Sequence, residues 1–369
     1  MEVWGLPVRL FHWLLVLGIT VALSTGFLAP EWWLGIHRIA GYGVLVLMVL
    51  RLVWGFLGPH YARFHGLIRA LRGFGAYARG LIRLRPPHYV GHNPVGAAMI
   101  LAFFLVVSAI VVTGLLAEGG EEKLGPLAGV TSFALGDAAR AVHSWAAILL
   151  LAMVIVHLLG VLVESLLQKV NLARGMISGR MPLPAGLAVE PPRTPARPMI
   201  AGLTAVALAS AGGLVLLPLM RLPPLGVAAV RADAAHQKEC GDCHWPYHPT
   251  LLPRASWEKL MAGLEDHFGE DASLSEATTR EIARYLEANA AETTDTEVGN
   301  RFRTVAAEEP LRITGNPYWI ARHRRLDRPS IAASSAKSPG NCIACHGDAD
   351  SGRFDDEAIS LPEGVVERD

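Results

Sequence analysis

Five predominantly apolar stretches divide the first 220 residues of this chain. They run from about Leu10 to Leu28, Leu34 to Leu57, Pro94 to Leu116, Ala138 to Gln168 and Met199 to Met220. In the fourth, no Asp, Glu, Lys or Arg occurs between Val142 and Val163, which is enough for one helical crossing of a bilayer. The first stretch is too long, and too poor in a cleavage-site signal, to be a cleaved signal peptide. Beyond Arg221 the pattern becomes that of a water-soluble helical domain. Trp257, Leu260, Met261 and Leu264 fall at i, i+3, i+4 and i+7 and describe one helical face. His267 is expected to end that helix, and Ser273 with Glu276 suggests a capping box for a next helix ending near Tyr285–Leu286. No internal repeat or heptad pattern is evident. The expected fold class is all-α.

Six prolines between Pro182 and Pro198 mark a semi-rigid linker. The expected domains are therefore a membrane part over 1–180, a linker over 181–198, a fifth crossing over 199–220 and a polar part over 221–369. Composition agrees: hydrophobic residues make up 51%, charged residues 18%, and mean hydropathy is +0.33, which points to an integral membrane part joined to something more polar. The net charge of zero hides a split of +8 before Arg221 and −8 from there onward. The segment from His60 to Asn93 has six arginines and no acid, and Lys169, Arg174, Arg180, Arg193 and Arg197 follow the fourth stretch. Glu118, Glu121, Glu122 and Asp137 lie between the third and fourth. The positive-inside rule puts the two basic segments and the N-terminus in the cytoplasm and delivers everything after Arg221 to the outer face.

Histidines give the apolar part its chemistry. His143 and His157 are fourteen residues apart on the fourth stretch. They share a face to within about 40° and lie roughly 21 Å apart along the axis, one near each surface of the hydrocarbon core. Ionisable groups within a membrane are costly and usually functional. The pattern suggests one helix lending an axial ligand to each of two stacked haems. His12 opens the first stretch and His37 the second. Alternating directions then allow one simple pairing, His12 with His157 on the cytoplasmic side and His37 with His143 on the outer side. Gly41 and Gly160 would let a porphyrin approach the backbone, and Arg9 and Arg38 adjoin ligand histidines where haem propionates could pair with them. His92 reads as structural, a helix cap. His60, His65 and His88 read as solvated, and Glu164, at a helix end, needs no role.

All four cysteines fall in two C-x-x-C-H units, Cys240–His244 and Cys342–His346. This is the attachment signature of c-type haem, and in bacteria that attachment takes place outside the cytoplasmic membrane, as the charge pattern requires. His244 and His346 are then the proximal ligands. For the sixth positions His267, His323, His236 and His248 are all available, while Met261 reads as core. His248 is only four residues past His244, an awkward reach round one haem.

VWGLPVRLFHW, GIHRIAGY, RLVWGFLGPHYARF, GHNPVGAAM and VHSWAAILLLAMVIVHLLGVLVESLLQKVNLARGMISG resemble the bacterial and nickel-hydrogenase cytochrome b561 family over about residues 3–180. That resemblance implies a transmembrane four-helix dihaem bundle with ligands at His12, His37, His143 and His157, passing electrons between a quinone pool or hydrogenase and another redox partner. CGDCHWPYHPTLLPRASWEKLMAGLEDHFGEDASL, RITGNPYWIARH and CIACHGDADSGRF resemble the dihaem cytochrome c family over about residues 231–354. It implies a mostly helical domain in which His267 and His323 match the sixth-ligand positions.

The expected function is a transmembrane electron carrier of the bacterial inner membrane with two b haems and two c haems. It would take electrons from quinol or a membrane donor and reduce a periplasmic haem protein or cytochrome c. One rival is a terminal reductase with one c haem open to a small oxidant, against which the spare histidines argue. Another is a redox sensor signalling through the Arg-rich loop, for which no output domain is present. No nucleotide site, hydrolytic triad or nucleic-acid patch is apparent.

Overall fold

The computed structural model describes residues 3–89, 91–181, 195–227 and 229–367. Most of the expected Pro-rich linker, residues 182–194, lies outside them. The chain is all-α; among the described residues the only β features are isolated bridges, such as His267 with Glu270 and His346 with Ile359. It divides into two compact units, one of Met1–Leu115 with Ala139–Pro218, the other of Leu116–Ala138 with Leu219–Asp369.

The first unit is built on α1 (Leu6–Phe27), α2 (Leu34–Leu57), α3 (Phe64–Ala70), α4 (Phe74–Ile82), α5 (Pro94–Gly120), α6 (Phe133–Gln168), α7 (Leu172–Ser178) and α8 (Pro198–Leu219). Five of these, α1, α2, α5, α6 and α8, are long and apolar enough to cross a membrane. Pro7 sits in the first turn of α1, where its missing N–H is no loss. Asn93 caps α5 by accepting from the Gly96 N–H. The cap is thus Asn93 and not His92, whose ring packs on Trp4 at 4.4 Å. Val44, Met48, Val107 and Leu150 form a core lined by Phe11, Leu15 and Phe103. Ile39, Leu105 and Trp145 point outward, as lipid-facing side chains must in a fold that hydrogen-bonds its backbone within each helix. Gly55 is obligatory, since a Cβ there would lie 2.1 Å from the Phe64 ring.

The arginine-rich segment is not merely a solvated flank. It forms α3 and the amphipathic α4, whose buried Tyr77 donates to Glu164 Oε1 at 2.5 Å. Asn93 and Gln168 also donate to Glu164. This carboxylate therefore pins α4 and the start of α5 to α6, a role its place at a helix end does not announce. His60, His65 and His88 are exposed, as expected. α6 is 36 residues long, roughly 54 Å at 1.5 Å per residue. A hydrocarbon core of about 30 Å cannot contain it, so it begins well before the expected Ala138.

The second unit carries α9 (Ala234–Glu239), α10 (Arg254–Met261), α11 (Glu276–Ala288), α12 (Glu297–Phe302), α13 (Pro317–His323) and α14 (Arg328–Ala333). Asp233, Ser275, Thr296, Asn316 and Asp327 cap α9, α11, α12, α13 and α14. Leu252, Trp257, Met261, Ile282, Leu286 and Phe302 fill its core. Two local expectations are corrected. The helix bearing Trp257 stops at Met261, and His267 stands after a separate turn, Leu264–Asp266, bridged to Glu270. The next helix is capped by Ser275, whose hydroxyl accepts from Thr278 N–H, because Ser273 is already engaged in a turn with Asp271; it runs on to Ala288.

Candidate metal centres

An iron held by two imidazoles through bonds of about 2 Å sets the ring centroids roughly 6 Å apart. Three histidine pairs meet that condition. His37 of α2 and His143 of α6 have centroids 5.9 Å apart at 69°. His244 and His267 are 6.2 Å apart at 22°, and His323 and His346 are 6.1 Å apart at 60°. The fourth expected pair, His12 and His157, is close enough for a charge on one ring to be felt at the other.

The His37–His143 pair is oriented by two copies of one local device. His37 Nδ1–H donates to the Ala22 carbonyl at 3.0 Å, beside the Thr25 hydroxyl at 3.2 Å. His143 Nδ1–H donates to the Ile110 carbonyl at 2.9 Å, beside the Thr113 hydroxyl at 3.4 Å. A Cβ on Gly26 would lie 3.3 Å from His37 Cε1, and one on Gly114 would lie 3.1 Å from His143 Cε1. Each Thr-Gly step, with the carbonyl three residues earlier, thus fixes one ring as the Nδ1 tautomer and leaves Nε2 for a metal. Sequence reading missed this short repeat; its signal is the Thr-Gly dipeptide on each helix that packs beside a ligand histidine.

Among the described residues no such device serves His12 and His157. Buried His12 Nδ1, Arg9 Nε and Arg51 Nη1 have no hydrogen-bond partner among the described residues. Arg9 otherwise donates to the Ile177 carbonyl. Arg51, 7% exposed, sits over the rings of Phe11 and Phe64 at 5.9 and 4.9 Å. Orphaned donors beside a histidine pair fit an anionic group such as a haem propionate. Arg38 adjoins His37 and is half-buried. Gly41 and Gly160 face open space.

In the second unit the C-x-x-C-H pentapeptides are set by short turns. Cys240 closes α9, its N–H bonded to His236 O at 3.1 Å. Cys342–Ala344 is one 3-10 turn that returns His346 N–H to Cys342 O at 2.8 Å. His244 Nδ1–H donates to Trp245 O at 2.7 Å. On α13, His323 Nδ1–H donates to Trp319 O at 2.9 Å and stacks on that indole at 4.3 Å. Burial, then His323 and Arg322, push His346 down to about 4, so its imidazole is neutral with a lone pair to offer. His267 is held below its ordinary value by burial and by His244. His236 and His248 stay outside the pairs. His236 packs on Tyr285, and His248 caps the turn Pro249–Leu251, with burial and His236 pushing it down to about 4. Met261 is core.

Residues 3–179 match the prokaryotic cytochrome b561 family, and residues 236–354 match the dihaem cytochrome c family. A probable Ni/Fe-hydrogenase B-type cytochrome subunit of Bradyrhizobium diazoefficiens is 27% identical over 48% of this chain and 84% of its own length. The probable Ni/Fe-hydrogenase 1 B-type cytochrome subunit of Escherichia coli is 28% identical over 47% of this chain and 87% of its own. The solved diheme cytochrome c from Rhodobacter sphaeroides is 41% identical over 34% of this chain and 100% of its own, with a TM-score of 0.30. Two b-type and two c-type haems are accordingly the cofactors, and electron transfer is the chemistry they supply. The chain is an integral membrane protein whose residues 3–179 match prokaryotic cytochrome b561 and whose residues 236–354 match dihaem cytochrome c.

Proposed function

We propose that this protein is an inner-membrane electron carrier that accepts electrons from quinol, or from a membrane redox partner, and delivers them to a periplasmic haem protein or cytochrome c. Its haems, when bound, supply one-electron carriers. The carrying observation is the set of paired imidazoles, with ring spacings of 5.9, 6.2 and 6.1 Å. His12 with His157 and His37 with His143 are the ligands of the two b haems. Cys240, Cys243, Cys342 and Cys345 make the thioether attachments, and His244 with His267 and His346 with His323 fill the c-type axial positions. A second imidazole beside each proximal histidine supports an electron carrier over a terminal reductase with an open position. Arg9 and Arg38 are propionate partners, Arg9 through the Nε that has no hydrogen-bond partner among the described residues.

The N-terminus lies in the cytoplasm and the C-terminal part in the periplasm. The loop charges support this orientation, and so does attachment of c-type haem outside the inner membrane. The −8 balance from Arg221 onward would steer a basic acceptor. Anaerobic mixing of the purified protein with a quinol, followed separately at the b and c absorption bands, tests the reading. Reduction of both is expected; c haems that stay oxidised while the b haems are reduced would overturn it.

A further inference from the structure

The loop joining α5 to α6 is built into the C-terminal unit. Gly120 and Gly136 let the two helix ends touch, a Cβ on Gly120 falling 2.6 Å from Gly136 Cα. Lys123 holds a left-handed backbone, φ 54, which a lysine keeps only where its surroundings over-determine it. Its side chain, 1% exposed, pairs with Asp295 at 2.7 Å and donates to Thr131 O. Asp295 also accepts from Phe133 N–H at 2.8 Å and from Asn300. Arg301 of α12 pairs with Asp137 at 2.6 Å and covers the Phe133 ring at 5.0 Å. Arg353 donates to Glu122 O at 2.6 Å, and Leu225 N–H donates to Ala128 O at 2.9 Å.

The two c-type sites stand differently towards this grip. Arg353 precedes Phe354, whose ring packs on His346 at 5.2 Å. Arg301 lies over Tyr318 at 5.7 Å, next to Trp319, on which His323 stacks. No such link runs to His244 or His267 among the described residues. On the other side, Asp137 stands six residues before His143 on one unbroken helix, roughly 9 Å along its axis.

Resting on the function proposed above, we propose that the α5–α6 loop is a clasp that makes the His323–His346 site the point where electrons enter the C-terminal part, with the His244–His267 site as the exit. Each transfer is one electron: the membrane centre that gives it is oxidised by one as the Cys342–His346 centre is reduced by one, and no bond or proton moves. Lys123, Asp137, Asp295 and Arg301 are positioning residues in this scheme.

Three measurements test it. A site-specific protease sequence between Arg231 and Ala232, both exposed, allows the covalent tether to be cut in the full-length protein. The c-type fragment should stay with the membranes in the parent and be released in Lys123→Met and in Asp137→Arg. Release from the parent as well would overturn the clasp. In stopped-flow reduction, Asp137→Arg and Arg301→Asp should each slow c-haem reduction at least tenfold while b-haem reduction and haem content hold, and the double exchange should restore the rate. An unchanged rate in both single variants would overturn the proposal. For the order, Cys342→Ser with Cys345→Ser should leave the remaining c haem reducible by dithionite but not by quinol, and Cys240→Ser with Cys243→Ser should leave quinol reduction of the remaining c haem intact. The reverse pattern overturns it. A parent in which quinol reduces no haem at all would instead count against the function itself.

Discussion

The membrane centres depend wholly on imidazole and packing, whereas the C-terminal centres have two cysteines each beside the proximal histidine. In the first case the same residues must both retain and orient the haem; in the second the two tasks are separated. The structure reflects this. Both rings of the outer membrane pair are held by backbone carbonyls. In each C-terminal pair the hydrogen bond to a carbonyl falls on one ring only, His244 and His323. At His37 and His143, though not at His12, a neighbouring helix supplies the orientation that no covalent bond shares.

The comparison is most exposed to ligand removal. His143→Ala should empty the outer membrane site altogether, so that pyridine haemochrome analysis finds one b haem lost and both c haems kept. Retention of both b haems would break the distinction. His323→Ala should have the opposite character: the haem stays, turns high-spin and binds carbon monoxide. A low-spin spectrum in that variant would remove His323 from the ligands.

A pH effect confined to the C-terminal unit sharpens the contrast. Burial, with Asp356, Glu297, Asp355 and Glu121 around it, pushes Glu122 up to about 9; the cations on that side are Arg353, which binds its carbonyl, and Arg322, which pairs with Asp356. The folded state holds a proton that the unfolded chain releases near the ordinary carboxylate value. Stability should therefore be fullest at low pH and decline as pH rises through the window up to about 9. Glu122→Gln should flatten that decline in thermal unfolding followed at the c-type Soret band, and an equally steep decline would dismiss Glu122. The smallest effect is expected from Thr25→Val, which keeps the β-branched shape and the Ala22 carbonyl. A neutral hydrogen bond is worth about 0.5–1.5 kcal/mol, and about 59 mV corresponds to a factor of ten for one electron. The outer b haem should therefore shift upward by no more than a few tens of millivolts in redox titration, and the c haems not at all.

The two C-x-x-C-H units stand out in the sequence because each is a contiguous pentapeptide, and the membrane histidines because an ionisable group in an apolar stretch does; their roles as haem ligands belong to the proposed function. α2 was placed at its observed ends, Leu34 and Leu57, since Pro30 and Gly58 bound it sharply. Ser275 was missed as a cap because Ser273 offers the same signature two residues earlier, and only the competing turn with Asp271 decides between them. The Thr-Gly device is invisible to hydropathy, since its work is done by main-chain carbonyls. The loop before α6 was the hardest stretch to read. Glu118, Glu121, Glu122 and Asp137 look like an acidic surface, yet Glu118 and Glu121 are buried, and so is the loop's one lysine, Lys123, paired with a carboxylate 172 positions later.

That interval has a meaning in time. Synthesis proceeds at about 5–20 residues per second, so Asp295 is made roughly 10–35 s after Lys123. Through that period the nascent membrane hairpin carries a cation whose burial awaits a segment still to be translated and folded. Completion of the hairpin's loop thereby reports that the rest of the polypeptide has arrived, and a chain truncated before Asp295 would display the unfinished state to the cell's quality-control proteases.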